Sequence, residues 1–325
     1  MDAVNIRDIP GFRIGQAQDF DAATGCTVII SEAGAVCGAD VRGGSPGTRD
    51  TDALNPVMNR KRVHAVLLAG GSSFGLDAAG GVMRFLEARR VGRDVGVTVT
   101  PNVCAAILFD LKCGRADIRP DAEMGLAACR AAFAGQEFQS GSYGAGTGAT
   151  IGKSLGLELA MKGGVGAAAF RFGELLVGAV VAVNCVGDVL ENGRILAGTR
   201  RAGEKIAFAG SERVLLEEYR RHKDFFSENT VLGCVVSNAR LDKAGATKLA
   251  QCGQNGIARA VRPAHSTYDG DTVFALCSGE AETTLDAACI LGAAAVEAAI
   301  LDAVRSARGL GGYPSLSELR GAAAD

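Results

Sequence analysis

Apolar residues in this chain gather into short, nearly uninterrupted runs set off by glycine and charge. Val63 to Leu68, Leu175 to Val183 and Val231 to Val236 each have the form of a strand buried on both faces. Further β-segments are read near the start, over Gly11-Phe12-Arg13-Ile14-Gly15, Cys26-Thr27-Val28-Ile29-Ile30 and Ala35 to Val41. Helices are expected from about Leu76 to Arg90, from Ala122 to Ala134, from about Asp242 to Arg259, and over the alanine-rich stretch Thr284 to Arg305. Residues 194–226 break the pattern. Arg200-Arg201, Glu204-Lys205, Glu217-Glu218, Arg220-Arg221 and Lys223-Asp224 crowd one polar stretch, which predicts an exposed linker or surface helix. With 325 residues there is material for one large domain or two modest ones, and the chain is read as a single domain, 1–325.

The polar stretch ends in a turn, Ser227-Glu228-Asn229-Thr230, and a strand begins at once with Val231. That junction has the form of a cut site. If the peptide bond before Thr230 were broken, Thr230 would carry a free α-amine beside its hydroxyl, a nucleophile and its general base in one residue. Asn229 suits self-cleavage, because a strained turn can present its carbonyl to the Thr230 hydroxyl for an N-to-O acyl shift. The same residues are also ordinary turn chemistry before a β-run.

Composition narrows the partners. Lys and Arg number 34 against 36 Asp and Glu, a net charge of -2, and no basic block invites nucleic acid or an anionic membrane. Small substrates are expected. Glycine, at 45 residues, is about twice its usual share of roughly 7%, which implies tight turns and close backbone approaches. The ten cysteines include no C-x-x-C pair and many stand inside apolar runs, so they read as reduced core residues. Met1 leads into Asp2 and Arg7 without an apolar signal core. The longest apolar stretches, Leu175 to Val183 and Ala287 to Val296, fall short of the roughly 18 residues of a membrane span, so a cytoplasmic protein is expected. With only His64, His222 and His265, and no H-E-x-x-H, neither metal nor cofactor is expected.

Four further stretches carry candidate chemistry. Gly71-Ser72-Ser73-Phe74-Gly75 satisfies the G-x-S-x-G nucleophile elbow between a predicted strand and a predicted helix. A serine esterase would use Ser73 with His265 and either Asp188 or Asp242; otherwise the glycines let strand and helix pack closely or shape a pocket. Gly141-Ser142-Tyr143-Gly144-Ala145-Gly146 to Gly152-Lys153-Ser154 imitates a phosphate loop but has five residues between Gly146 and Gly152 where that pattern needs four. It remains a glycine loop that delivers Lys153, or leaves it exposed. Asn184 ends a strand, where an amide can donate to an oxyanion or simply start a turn. Asp269-Gly270-Asp271 sets two carboxylates around a glycine, as a hairpin corner does, or as a pair that can hold a terminal amine with one pKa raised by the other.

In their order, these pieces resemble the DmpA-like family of D-aminopeptidases, β-peptidyl aminopeptidases and nylon-oligomer hydrolases, which cleave themselves to expose an N-terminal Ser or Thr. The resemblance runs nearly end to end. It rests on Val41-Arg42-Gly43-Gly44, Leu68 to Ala78, Gly144-Ala145-Gly146 to Lys153, Val183-Asn184-Cys185-Val186-Gly187, Glu228-Asn229-Thr230 and Asp269-Gly270-Asp271-Thr272. The Asn-Thr junction and the Asp-Gly-Asp turn look like the nylon-oligomer (6-aminohexanoate-oligomer) branch, whereas the aminopeptidase branch cuts before Ser. The resemblance implies an α+β fold, a four-layer αββα sandwich, and an N-terminal-nucleophile peptidase or amidohydrolase without a cofactor. Cleavage between Asn229 and Thr230 would give an α chain 1–229 and a β chain 230–325, assembled as a homotetramer. Thr230 becomes the nucleophile and Asn184 the oxyanion donor. Asp269 and Asp271 surround the Thr230 amine, with Lys153 nearby. Gly71, Ser72, Ser73, Phe109 and Tyr143 become the substrate pocket. Phe109 stands where family members often carry a tyrosine. A non-catalytic binding homologue that keeps the fold without cutting is the alternative outside enzymes.

Overall fold

The computed structural model describes residues 1–203, 206–219 and 229–321. Eight principal strands order the chain: β1 (Arg13–Asp19), β2 (Thr24–Val41), β3 (Val63–Ala69), β4 (Val103–Ile107), β5 (Gly164–Phe172), β6 (Leu175–Asn184), β7 (Thr230–Ala239) and β8 (Thr272–Ala281). Four long helices accompany them: α1 (Ala78–Ala88), α2 (Ala122–Phe133), α3 (Lys243–Ala260) and α4 (Leu285–Ser306). Their hydrogen-bonded order is β5-β6-β7-β8-β2-β3-β4, with β1 also on β2. The pairs are antiparallel except β7 with β8 and β3 with β4.

β2 belongs to two sheets. Its residues 24–30 pair with β1 and β3, and after a register shift between Ile30 and Ala35 its residues 36–41 pair with β8. Three apolar cores then define the layers. Val177, Ala179, Val181 and Val183 of β6 pack with α3 and α4. The alternate residues Leu176, Val180 and Ala182 meet Val66 and Leu68 of β3 between the sheets. Ala65, Leu67 and Ala69 turn to α1 and α2. This is the αββα sandwich. A strand between two layers buries both faces, which is why β3, β6 and β7 read as apolar runs and not as alternating ones.

Small residues set the spacing of the layers. A Cβ on Gly38 would lie 2.2 Å from the backbone nitrogen of Thr247 in α3, and one on Gly256 would lie 2.4 Å from the carbonyl oxygen of Ala293 in α4. By length and composition α4 could cross a membrane, yet it lies against the sheet with Ala295, Val296, Ala299 and Ala303 fully buried. All ten cysteines are free, and nine are buried.

The polar stretch 194–226 departs from the sequence reading. Arg194–Ala197 is a strand and Ser211–Tyr219 a helix whose first residue is fully buried, so the segment is not wholly exposed. Its charged pairs Glu204-Lys205, Arg220-Arg221 and Lys223-Asp224 lie outside the described residues.

Candidate active site

Register brings the junction into the core. Asn184, the last residue of β6, lies opposite Thr230, the first of β7. On the other side β7 runs parallel to β8, with Leu232 opposite Thr272, and the pairing continues backward as a bridge between Asn229 and Asp269. The Asn229 N–H donates to the Tyr268 carbonyl at 3.3 Å, and the Gly270 N–H donates to the Asn229 carbonyl at 2.8 Å. Asn229 is therefore a buried ladder residue and not part of an exposed turn, and Asp269-Gly270-Asp271 is the far side of that ladder and not a hairpin corner. The Thr230 hydroxyl donates to the Asn229 carbonyl.

The two carboxylates are buried beside it, each 1% exposed. Asp271 is fully engaged: Oδ1 accepts the Val231 N–H at 2.7 Å, and Oδ2 accepts the His265 N–H at 3.0 Å and lies 2.8 Å from His265 Nδ1. Asp269 accepts the Ser266 N–H through Oδ2 at 2.7 Å, while its Oδ1 is buried with no hydrogen-bond partner among the described residues. Burial, reinforced by the neighbouring Asp271 charge, pushes the Asp269 carboxyl up to about 6.

Lys153 is buried, not exposed. Its Nζ donates to the backbone oxygen and to Oδ1 of Asn184, both at 3.0 Å. Burial brings its ammonium down to about 8, opposed by nearby groups that include Asp269. The glycine loop delivers it through Gly152, at φ 67°, whose N–H donates to the Gly187 carbonyl at 3.1 Å. Asn184 is thereby oriented: Oδ1 also accepts the Thr150 N–H at 2.9 Å, and Nδ2 donates to the Phe109 carbonyl at 2.9 Å. Thr230, Asn184, Asp269, Asp271 and Lys153, scattered over 119 positions from 153 to 271, thus form one buried cluster.

A cavity of about 340 Å³ opens onto it. Asn229, Thr230, Phe109, Ser72 and Ser73 line this cavity, as do Ser45 to Gly47 from the loop after β2. Gly71 and Tyr143, expected in the pocket, are not among its lining residues. Gly71 shapes the turn after β3 at φ 82°, with its N–H held by Asp110 Oδ1 at 2.7 Å. Tyr143 stands edge-on to Phe20 at 5.7 Å and lines a separate hollow with Gln16 and Gln18. The glycine turn after it is pinned to β2 by the bond from the Ala145 N–H to Thr27 Oγ1.

The elbow exists as strand, turn and helix, but the triad does not assemble. Of the two serines in the turn, Ser72 and not Ser73 is at positive φ (55°). His265 has Nδ1 on Asp271, but its Nε2, the nitrogen that would activate a serine, has no hydrogen-bond partner among the described residues, Ser73 included. Asp188 accepts from Thr199 and Ser211, and Asp242 caps α3 through the Gly245 N–H at 2.8 Å. Sequence reasoning assigned His265 only to that triad and gave Ser266 and the Gly270 N–H no role. The loop at 42–50, rich in turn formers and charge, supplies Ser45 to Gly47 to the pocket.

A profile of peptidase family S58 matches residues 5–316. The chain belongs to peptidase family S58. Among relatives in this family, an uncharacterised aminopeptidase of Mycobacterium leprae is 40% identical over 299 residues, covering 87% of this chain and 81% of its own. A 6-aminohexanoate-oligomer endohydrolase of an Agromyces species is 32% identical over 308 residues, covering 92% and 82%. A similar fold is seen in an L-aminopeptidase D-Ala-esterase/amidase of Ochrobactrum anthropi, described as a variant of the Ntn hydrolase fold. It superposes with a TM-score of 0.72 at 18% identity, over 97% of this chain and 92% of that one. A Burkholderia β-aminopeptidase gives 0.64 at 23% identity over the same shares. As an S58 peptidase the protein is a hydrolase, and it shares the fold of these two solved structures.

Proposed function

We propose that the chain cuts itself between Asn229 and Thr230, and that Thr230 then hydrolyses amide bonds as an N-terminal nucleophile. One observation carries this reading: the Thr230 hydroxyl lies against the carbonyl of the peptide bond to be cut, beside two buried carboxylates and open to a cavity. After cleavage the Thr230 amine, directly or through a water, takes the hydroxyl proton as Oγ1 attacks the substrate carbonyl carbon. The second Asn184 Nδ2 proton steadies the oxyanion. The leaving amine takes up the proton, and water hydrolyses the Thr230 ester to release the acid and restore the hydroxyl. Asp269 and Asp271 hold the amine, and Lys153 fixes the Asn184 amide.

The cavity is at the small end of ligand sites, suited to a short amide. The names of the relatives point to two classes of substrate: an N-terminal residue of a peptide or β-amino acid amide, and a linear amide oligomer such as that of 6-aminohexanoate. A homotetramer of cleaved protomers, acting in the cytoplasm, completes the proposal and rests on the family resemblance and on ten cysteines that are all free.

Mass spectrometry of freshly expressed protein tests the reading directly, with fragments 1–229 and 230–325 expected. A chain still whole after prolonged incubation at neutral pH would favour a binding homologue instead. Thr230→Ala should abolish both processing and turnover, a loss of several orders of magnitude. Thr230→Ser should still cut, and Ser73→Ala should cut normally and change mainly KM. The reverse pattern would restore the serine esterase.

A further inference from the structure

We infer that the backbone N–H of Gly270 is the oxyanion donor of the self-cleavage step, and that position 270 lacks a side chain so that the Thr230 hydroxyl can reach the Asn229 carbonyl. This rests on the self-cleavage reading and assigns to it a group that substrate turnover does not share. The Gly270 N–H already donates to the Asn229 oxygen at 2.8 Å, the atom on which negative charge develops when Thr230 attacks. A donor fixed before reaction costs no reorganisation and binds the oxyanion more strongly than the carbonyl it replaces.

The Gly270 peptide is fixed from several sides. The Asp269 carbonyl accepts the Ser45 N–H at 2.9 Å, the Gly270 carbonyl accepts the Thr272 hydroxyl at 2.9 Å, and the Asp271 carbonyl accepts the Arg42 and Gly43 N–H groups at 2.9 and 3.2 Å. Asn184, the donor proposed for turnover, has its amide directed to the Phe109 carbonyl and held by Lys153 and Thr150. Two oxyanion sites follow, one for the chain's own peptide bond and one for substrate. A Cβ at position 270 would stand 2.8 Å from Thr230 Oγ1 and 2.9 Å from the Ser45 carbonyl oxygen, crowding the nucleophile itself.

The step balances without a co-reactant other than water. The Oγ1–carbon bond forms on Asn229 and the hydroxyl proton is relayed to the Thr230 nitrogen. The carbon–nitrogen bond breaks to leave an Asn229 ester on Thr230 and a free amine. Water hydrolyses that ester, giving the Asn229 carboxylate and restoring the hydroxyl.

The test follows processing of cell-free synthesised full-length chain over time, with and without hydroxylamine, which captures the ester. Wild type should cut, and Gly270→Ala should cut at least about 100-fold more slowly, the usual effect of losing one oxyanion donor or its geometry. Hydroxylamine should not speed release of fragments from it, because its ester forms too slowly to accumulate. Uncut Gly270→Ala should melt with uncut Thr230→Ala, which separates a blocked reaction from a broken fold. Should the alanine fail to fold, a semisynthetic chain with glycolic acid at position 270 replaces the N–H by an ester oxygen without adding a side chain and should show the same slowing. Wild-type rates in either variant, or ready release of fragment 1–229 from Gly270→Ala by hydroxylamine, would overturn the assignment. A wild-type chain that never cuts would instead bring down the self-cleavage reading on which it rests.

Discussion

Asp269 and Asp271 are one glycine apart and use their oxygens differently, so the same substitution should have opposite effects on stability. Both oxygens of Asp271 accept backbone N–H groups, from Val231 and from His265. In Asp271→Asn one amide NH2 must face one of these donors in either rotamer, and an unmet buried donor costs about 1 to 3 kcal/mol. Asp269 has a spare buried oxygen, so in Asp269→Asn the new amide can keep the Ser266 N–H with its oxygen and put its NH2 where no donor stands. The folded value of about 6 for the Asp269 carboxyl lies above the ordinary carboxylate range, so the folded chain binds more protons between roughly pH 4 and 6, and ionisation costs stability as pH rises through that window. On a Thr230→Ala background, where every chain is uncut, Asp271→Asn should melt several degrees lower at pH 7. Asp269→Asn should melt no lower than its parent there, with any advantage shrinking toward pH 4. A marked loss of melting temperature in Asp269→Asn would show that Oδ1 has a partner. The identities of these residues were legible from the Asn-Thr junction and the Asp-Gly-Asp spacing. Their hydrogen bonds were not, because the contact between His265 and Asp271 depends on a loop in which His265 sits at φ 58°, a conformation no apolar pattern encodes.

At the level of elements, β6 and β7 were legible because a strand enclosed by two layers must be apolar throughout, and the helices because apolar residues recur at helical spacing, as Ala246, Leu249, Ala250, Ile257 and Ala260 do in α3. β2 was divided in the sequence reading, and rightly as to pairing: its two halves serve different sheets on either side of Gly34, although the strand itself is continuous. The polar stretch misled because charge on its surface hides a buried clasp. Asp188 accepts the Thr199 N–H at 2.9 Å and the Ser211 N–H at 2.6 Å, and the Thr199 hydroxyl meets Ser154, the residue after Lys153, at 2.8 Å. This clasp fastens the segment ahead of the junction to the loop that places the lysine. Asp188→Ala leaves two buried N–H groups without an acceptor. A loss of about 2 to 4 kcal/mol is expected by chemical denaturation, together with slower processing. Unchanged stability would mean that water replaces the carboxylate and that the segment is held elsewhere.

For the whole molecule, the position of the proposed cut decides what cleavage would do to the fold. The junction lies at the end of a central strand, so the piece 230–325 contributes β7, β8, α3 and α4. These two strands sit between β6 and β2, both of which belong to the other piece. Pulling the pieces apart would open two sheet edges and uncover Val231, Leu232, Cys234, Val235 and Val236, all at most 1% exposed, as well as Val273, Phe274 and Leu276. At about 1.5 to 3 kcal/mol for each large apolar side chain returned to water, the buried side chains alone outweigh the entropy gained by freeing one fragment. Cleavage should therefore leave the sandwich intact and release only the new Thr230 amine and Asn229 carboxylate. The fragments should co-elute as one species on native size exclusion, at every dilution tried, and separate in denaturant. Their melting should be cooperative, with both fragments losing structure in one transition. Two transitions, or native dissociation on dilution, would show that β7 and β8 are held less firmly than their place in the middle of the sheet requires.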